Sequence, residues 1–240
     1  MNKTHINFQT IIEQLKSYAN PKNVEGMARY GINTDKTLGV NVTKLREIAK
    51  AAGRNHQLAM DLWNSEIHEA RILAGFVDKP NEVTEAQMDA WANDFDSWDI
   101  CDGTCNHLFD KTPFAYDKAI SWCQQEKEYV RRAGFVLMAT LAVHDKKAPD
   151  DKLTQFFPYI IRYASDERNF VKKAINWALR QIGKRNVTLC SQSLAVADQL
   201  LSLDSKAARW VARDAIRELE KKLPEIRKKA DAKAKTIKKK

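Results

Sequence analysis

Helical periodicity runs along almost the whole chain. Apolar residues recur at spacings of three and four, and no stretch alternates with the period of two that marks a β-strand. Residues 7–19 illustrate the pattern, with Ile11, Ile12 and Leu15 on one face ahead of Pro21. The composition agrees, because 240 residues include only 8 Gly and 6 Pro, the two residues least favourable in helix interiors. The sequence therefore predicts an all-α protein.

Short connections separate the predicted helices, and prolines mark several of the breaks. Helices are expected at 7–19, from 43 onward, and at 55–64, 66–78, 84–94, 97–110, 114–125, 127–143, 151–164, 168–184, 189–202 and 205–221. From about residue 55 they pair at intervals of roughly 35–45 residues, a spacing typical of HEAT-type repeats. A helix bundle and an α-solenoid of antiparallel helix pairs both fit this spacing. We predict a solenoid that forms one domain over residues 1–221.

The net charge of +9 is unevenly distributed. Residues 221–240 contain ten Lys or Arg against two acids, which leaves the first 220 residues almost neutral. We predict that residues 222–240 form a Lys-rich tail that is partly disordered or continues the last helix. Of the remaining chain, residues 81–128 have a net charge of −8 and residues 131–186 a net charge of +7. A basic block on a folded surface indicates a polyanionic partner such as nucleic acid.

Several classes of protein do not fit the sequence. The longest apolar run, 133–143, is too short to span a bilayer, and residues 1–8 lack the layout of a secretory signal. Four cysteines without a framework spacing predict free thiols in a reducing cytoplasm. We therefore expect a cytoplasmic protein without a membrane partner, associated with the nucleoid when it is bound to DNA.

No metal site or cofactor is expected. Cys101, Cys105 and His107 provide too few convergent ligands for zinc. The segment His68-Glu69-Ala70-Arg71 lacks the second histidine of a His-Glu-x-x-His metalloprotease motif. We interpret this segment as providing capping and ion pairing between repeats.

Trp177 is placed unusually in the predicted helix 168–184. At about 100° per residue, one face of this helix is apolar, with Val171, Ile175, Ala178 and Ile182. The opposite face holds Lys173, Trp177, Arg180 and Lys184. A tryptophan in a helix packs more often in a core, but the phase of Trp177 places it among cations. Such a side chain is suited to stacking on a nucleotide or sugar while its neighbours hold phosphates.

The predicted helix 97–110 places Trp98 and Asp102 one turn apart, on the side that also holds Cys105 and Phe109. A carboxylate on a partly apolar face is costly unless it is paired or functional, so Asp102 is either a structural acid or a site residue. Ser97 is expected to cap this helix, and Asp99 to compensate its dipole in the first turn.

The ordered motifs of the chain resemble a known family. They are Leu38-Gly39-Val40, Lys44-Leu45-Arg46, Trp63 with His68-Glu69-Ala70-Arg71, Trp98-Asp99-x-x-Asp102, Val130-Arg131-Arg132-Ala133, and Lys173-Ala174-Ile175-Asn176-Trp177-x-Leu179-Arg180. Over roughly residues 30–185 the chain is similar to the AlkD-like alkylpurine DNA glycosylases, which are bacterial DNA alkylation repair proteins. The resemblance implies a right-handed stack of HEAT-like helix pairs whose concave basic face cradles duplex DNA. It also implies the removal of N3- and N7-alkylated purines by a monomer without a cofactor.

Site residues follow from the resemblance one by one. The family's essential aspartate falls on Asp102, its two groove tryptophans on Trp98 and Trp177, and its DNA-contacting arginine on Arg131. Further phosphate contacts are expected from Lys172, Lys173, Arg180 and Lys184. In the loop after Leu38-Gly39-Val40, Asn41-Val42-Thr43 stands where family members often carry a Gln-Thr-Pro-like run, and Asn41 is assigned to the loop contact.

The assigned residue types suit the reaction. Ordinary glycoside hydrolysis needs two carboxyl groups, because the leaving oxygen must be protonated. A purine alkylated at N3 or N7 already carries positive charge, so one carboxylate suffices to stabilise the sugar cation. Apart from the two tryptophans, the sequence predicts no aromatic-lined base pocket. Two alternatives remain: a catalytically silent binder of damaged or branched DNA, and a helical-repeat scaffold for protein partners, which buried ion pairs at Lys173 and Arg180 would favour.

Overall fold

The structure, a computed structural model, describes residues 7–237, with side chains as far as Ala232. All regular secondary structure in these residues is helical. The chain forms two compact units: unit 1 ends at Phe114 and unit 2 begins at Ala115. Within residues 7–237, no helix is long and apolar enough to cross a membrane.

From residue 7 onward, unit 1 contains seven α-helices and ends in one turn of 3-10 helix. They are α1 (Phe8–Ser17), α2 (Pro21–Ala28), α3 (Val42–Ala52), α4 (His56–Asn64), α5 (His68–Val77), α6 (Glu85–Asp94) and α7 (Trp98–His107), followed by the 3-10 turn Phe109–Lys111. Helix α5 packs against α3, α4 and α7. The core includes Trp63 and Trp91, whose rings stack with their centroids 4.0 Å apart.

Unit 2 continues the helical architecture. It contains α8 (Ala115–Cys123), α9 (Glu128–His144), α10 (Asp150–Thr154), α11 (Phe157–Tyr163), α12 (Asn169–Gly183), α13 (Val187–Leu201) and α14 (Lys206–Ile237). Helix α9 packs against α8 and α12, and α12 also contacts α13 and α14. A Cβ on Gly134 of α9 would lie 2.3 Å from the backbone nitrogen of Cys123. Glycine at this position therefore permits the close approach of α8 and α9.

Among the described residues, asparagine is the N-cap residue of five helices. Asn7, Asn20, Asn41, Asn55 and Asn186 are the N-cap residues of α1, α2, α3, α4 and α13. Each side-chain oxygen accepts a hydrogen bond from a backbone N–H two or three residues later. Such caps satisfy backbone donors that a helix leaves unpaired at its N-terminus. Asn41, predicted to contact DNA, is therefore also the N-cap residue of α3.

Two prolines give helix boundaries that the periodicity missed. Pro21 was predicted only to end the first helix, but it is the first residue of α2, where a missing N–H costs nothing. Residues 151–164 were predicted to form one helix, but α10 and α11 are separate. Pro158 lies in the first turn of α11, and a proline in the interior of a continuous helix would remove a hydrogen bond.

The last helix is longer than predicted. Helix α14 runs past residue 221 to Ile237, so the described part of the Lys-rich tail is helical. Ile226 is 8% exposed and packs in one apolar cluster with Cys190 and Leu219. Apolar packing thus continues beyond residue 221, and the tail boundary at that residue stays a prediction. Residues 238–240 lie outside the described residues.

Candidate nucleic-acid interface

Helix α7 carries two of the predicted site residues on one face. Trp98 and Asp102 are both half-buried, whereas Cys105 and Phe109 on the same predicted face are fully buried. The indole N–H of Trp98 donates to the carbonyl oxygen of Tyr30 over 3.1 Å. This bond holds the tryptophan ring against the segment that follows α2.

The start of α7 is organised differently from the prediction. Ser97 is the N-cap residue, but its side chain makes no capping hydrogen bond to α7. Its hydroxyl oxygen instead accepts the backbone N–H of Asn33 over 2.9 Å. The prediction that the Ser97 side chain caps α7 was therefore wrong, because its hydroxyl is bonded to Asn33, which is 64 residues away in sequence.

Asp99 forms a partly buried pair with His68. One carboxylate oxygen lies 2.8 Å from Nε2 of His68, whose side chain is 4% exposed. The other oxygen accepts the N–H of Ile100 over 3.0 Å. Burial by itself lowers the pKa of His68, but the hydrogen bond and charge of Asp99 outweigh it and raise the pKa above the usual 6.5. Asp99 thus does more than compensate the helix dipole.

We expect the stability of unit 1 to depend on this pair. Because the folded pKa of His68 is raised, its stabilisation is complete below the unfolded pKa and is lost as the pH rises through the folded pKa. Imidazole NMR titration should place the pKa of His68 above 6.5 in the wild type and lower in Asp99→Asn. The free energy of unfolding should fall above about pH 6.5 in the wild type and vary less with pH in the variant. Equal His68 pKa values in the two proteins would rule out this role.

Glu69 is fully buried and holds the loop before α3. Its carboxylate accepts the backbone N–H of Leu38 over 2.9 Å, of Gly39 over 2.6 Å and of Val40 over 3.1 Å. Gly39 has a φ of 79°, and a Cβ there would lie 2.2 Å from the carbonyl oxygen of Asn20. The ion pairing predicted for 68–71 is present as the His68–Asp99 pair, whereas Glu69 binds N–H groups of the loop ahead of α3 and does not cap a helix. That these contacts join successive repeats stays a prediction.

A cleft of about 580 Å³ opens beside Trp98 in unit 1. Tyr30, Phe76 and His107 line it together with the tryptophan. The prediction of no aromatic-lined pocket was therefore wrong, because these side chains come from three separate segments that the sequence does not link. Asn41 also lines the cleft, and the α7 carboxylate that lines it belongs to Asp99.

Helix α12 of unit 2 has the two faces that its periodicity predicts. Val171, Ile175, Ala178 and Ile182 are fully buried. On the other face Lys173 is exposed and Trp177 is half-buried. The ammonium group of Lys172 lies 5.1 Å from the ring centroid of Trp210 on α14.

The other cations of this face bind α14. Arg180 and Lys184 both pair with Glu218, and Arg180 lies 3.5 Å from Asp214. Burial raises the pKa of Glu218, but the hydrogen bond from Lys184 and the charge of Arg180 outweigh it, so that the pKa is lowered. Buried ion pairs at Lys173 and Arg180 were expected for a scaffold that binds protein partners. Arg180 is in partly buried ion pairs, whereas Lys173 is exposed.

Arg131, predicted to contact DNA, is partly buried and paired with an acid. Its guanidinium lies 2.7 Å from Asp166 and 4.6 Å from the ring centroid of Tyr163, and its side chain is 15% exposed. Burial raises the pKa of Asp166, but hydrogen bonds from Arg168 and Arg131 outweigh it and lower the pKa. A phosphate bound by Arg131 would have to share the guanidinium with Asp166.

Sequence reasoning missed a basic face on α14. Trp210 is 40% exposed and borders a groove of about 440 Å³ with Lys206, Arg213 and Arg217. These cations lie four before, three after and seven after the tryptophan, so they share its side of the helix. The wheel argument used for Trp177 would have found this face. We call Lys206, Trp210, Arg213 and Arg217 the α14 basic face.

The four cysteines are buried, and none of them forms a disulfide. Burial raises the pKa of Cys105 well above its usual value and that of Cys123 to about 12. Among the described residues, no group of His, Cys, Asp and Glu is arranged to hold a metal ion. Cys101 and Cys105 are fully buried, whereas His107 is half-buried and lines the cleft beside Trp98.

The structure brings together some of the predicted site residues. Asn41 and Trp98 share the cleft of unit 1, and Asp102 lies one turn along α7 from the tryptophan. Trp177 and Arg131 belong to unit 2. The pairing of Trp98 and Trp177 across one DNA groove stays a prediction.

Comparison with known proteins identifies the family. A comparison with curated proteins finds no match. A solved structure reported as "A new family of proteins related to the HEAT-like repeat DNA glycosylases with affinity for branched DNA structures" is similar with a TM-score of 0.74 and 19% identity, covering 88% of this chain and 95% of that one. This likeness confirms the HEAT-like helical fold. The sequence model of the family described as "DNA alkylation repair enzyme" matches residues 11–223, so the chain belongs to the DNA alkylation repair family.

Proposed function

We propose that this protein is a DNA glycosylase that hydrolyses the N-glycosidic bond of cationic N3- or N7-alkylated purines in duplex DNA. One observation carries the proposal: in a chain of this family, Trp98 and Asp102 are both half-buried on one face of α7. A carboxylate beside an aromatic ring can stabilise a sugar cation as the base departs. The alkylated purine leaves without protonation, so a single carboxylate is enough.

Each site residue has a proposed role. In its ionised form, Asp102 stabilises the oxocarbenium-like transition state. Trp98 and Trp177 pack on the deoxyribose backbone and present their π-faces to the developing cation, each worth about 0.5–2 kcal/mol. The proposed DNA contacts are those of Asn41, Arg131, Lys172, Lys173, Arg180 and Lys184. Such phosphate contacts position DNA without reading its sequence.

The α14 basic face extends the proposed DNA contact. An exposed tryptophan flanked by cations can stack on an unpaired base or pack on the sugar-phosphate backbone. Lys172 links it to α12, because its ammonium group lies over the ring of Trp210. Lys173 is exposed on the same helix, so we add Trp210 and Arg213 to the predicted contacts.

Substitutions on the α14 basic face should weaken DNA binding. We expect Arg213→Gln to reduce the salt slope of duplex binding by about 1, the loss of one phosphate contact. Trp210→Ala should weaken binding about fivefold or more through lost stacking. Fluorescence anisotropy over a salt series measures both effects. The matched control is Lys16→Gln, which removes one charge from an exposed lysine on α1. If the α14 variants bind DNA as tightly as this control, the α14 basic face is not a DNA contact.

The most direct test of the enzyme is base release. Methylated genomic DNA is incubated with the wild-type protein, and released bases are identified by chromatography. We expect 7-methylguanine and 3-methyladenine above the level released without protein. No free base with the protein in excess would overturn the glycosylase proposal.

A catalytically silent DNA binder is the second candidate. The observation that favours it is the similar structure of a protein reported to have affinity for branched DNA. The ion pairs of Arg180 and Lys184 with Glu218 also give these cations a structural role. This candidate predicts tighter binding to a four-way junction than to a linear duplex of the same length, without base release.

A further inference from the structure

The cleft of unit 1 has the dimensions of a ligand site. Residues of α2, α3, α5 and α7 line it, as does the loop held by Glu69. Its volume of about 580 Å³ lies within the range of about 300–1,000 Å³ found for small-molecule sites. All of its lining residues belong to unit 1. The cleft is therefore a property of this unit alone.

Aromatic rings and aliphatic side chains form the walls. Trp98 is fixed by its bond to the carbonyl oxygen of Tyr30, a residue that is itself 73% exposed. Phe76 and His107 meet edge to face with centroids 4.8 Å apart. Flat rings held in place are suited to stacking on another flat ring. The walls thus favour a planar aromatic ligand.

Two helical glycines line open parts of the cleft. Gly26 of α2 and Gly103 of α7 both line it, and a Cβ at either position would meet no atom within 4 Å. Glycine within a helix is less favourable than alanine, and no close helix contact requires it here. Both positions therefore leave room for a ligand rather than for a neighbouring helix.

The charges around the cleft suit a phosphate-bearing ligand. Lys22 and Arg46 line the cleft and are exposed. Both carboxylates that line it are already bonded. Glu69 accepts three backbone N–H groups, and Asp99 is hydrogen-bonded to His68. The exposed charge at the cleft is therefore positive. A nucleotide combines the planar ring that suits the walls with the phosphate that suits this charge.

We propose that the cleft receives one unpaired nucleotide of bound DNA, with its base against the rings of Phe76 and His107 and its phosphate near Lys22 and Arg46. This inference rests on the DNA partner of the proposed function and adds a base site to it. Taking a paired base out of a duplex costs unstacking energy, which is smaller for a nucleotide that is already unpaired. The preferred ligand is therefore DNA with an unpaired, bulged nucleotide.

Three oligonucleotides and two variants test the cleft. The DNAs are a fully paired duplex, the same duplex with one extra unpaired nucleotide, and that bulge with the extra base replaced by an abasic residue. Gly103→Leu places a side chain in the cleft, and Gly103→Ala is its matched control with the smallest side chain. Both substitutions favour the helix, and circular dichroism checks that they fold. Fluorescence anisotropy gives the dissociation constants.

We expect the wild type and Gly103→Ala to bind the bulged base about tenfold or more tightly than the abasic bulge, from stacking of one base. Gly103→Leu should bind both bulges equally and keep its affinity for the paired duplex. Equal wild-type affinity for the two bulges overturns the cleft site but leaves DNA binding intact. A preference retained by Gly103→Leu also overturns it. No binding to any of the three DNAs would overturn the cleft site and the proposed DNA partner together.

Discussion

Asp102→Asn is expected to slow the release of alkylated purine by about 10²–10³-fold, the loss typical of removing one group aimed at transition-state charge. Asparagine has nearly the shape of aspartate but no charge, so duplex binding should remain unchanged. Single-turnover release of 7-methylguanine from methylated DNA measures the rate. Anisotropy on the same DNA measures the binding.

Two controls make the Asp102 prediction specific. Asp117→Asn removes one negative charge at an exposed position of α8 and should leave the rate unchanged. Asp99→Asn tests the neighbouring carboxylate, because Asp99 lines the cleft and pairs with His68. If Asp99→Asn abolished release while Asp102→Asn did not, the proposed role would belong to Asp99.

Glu69→Ala should produce the largest loss of stability. It would leave the N–H groups of Leu38, Gly39 and Val40 without their acceptor. Leaving a buried polar group unsatisfied costs about 1–3 kcal/mol for each group, so we expect a loss of about 3 kcal/mol or more. Urea unfolding followed by tryptophan fluorescence measures it. Glu69→Gln keeps one acceptor oxygen and should lose less.

The control for Glu69 is a glutamate that forms only a surface ion pair. Glu66 pairs with Lys36, and both side chains are 57% exposed. Pairs of this kind contribute little to stability, so Glu66→Ala should unfold at the wild-type urea concentration. A Glu69→Ala protein as stable as Glu66→Ala would show that the loop does not depend on its carboxylate.

The sequence could predict the helices because local periodicity reports which side of each segment is buried. It correctly placed the apolar face of α12, where Ile175 and Ala178 are fully buried. It missed the whole of α2 (Pro21–Ala28), because Pro21 looked only like a helix terminator, although the first helical turn accepts proline. Periodicity therefore predicted the longer amphipathic helices better than this short one.

Partners distant in sequence could not be predicted. A helical wheel places Arg180 opposite the core, but it does not show that Glu218, 38 residues later, will pair with it. The same limit applies to Arg131 and Asp166, which are 35 residues apart. Both arginines looked like free surface cations, because a wheel describes one helix and an ion pair joins two.

The burial of the four thiols affects how the protein reacts with alkylating agents. The agents that methylate purines are electrophiles, and a cysteine reacts with electrophiles mainly as its thiolate. Burial raises the pKa of Cys105, Cys123 and Cys190, and Cys101 is buried with them. Few thiolates therefore form at Cys105, Cys123 and Cys190, and all four sulfur atoms are shielded from solvent. We expect these buried thiols of the folded protein to react slowly with the alkylating agents whose damage to DNA its family repairs.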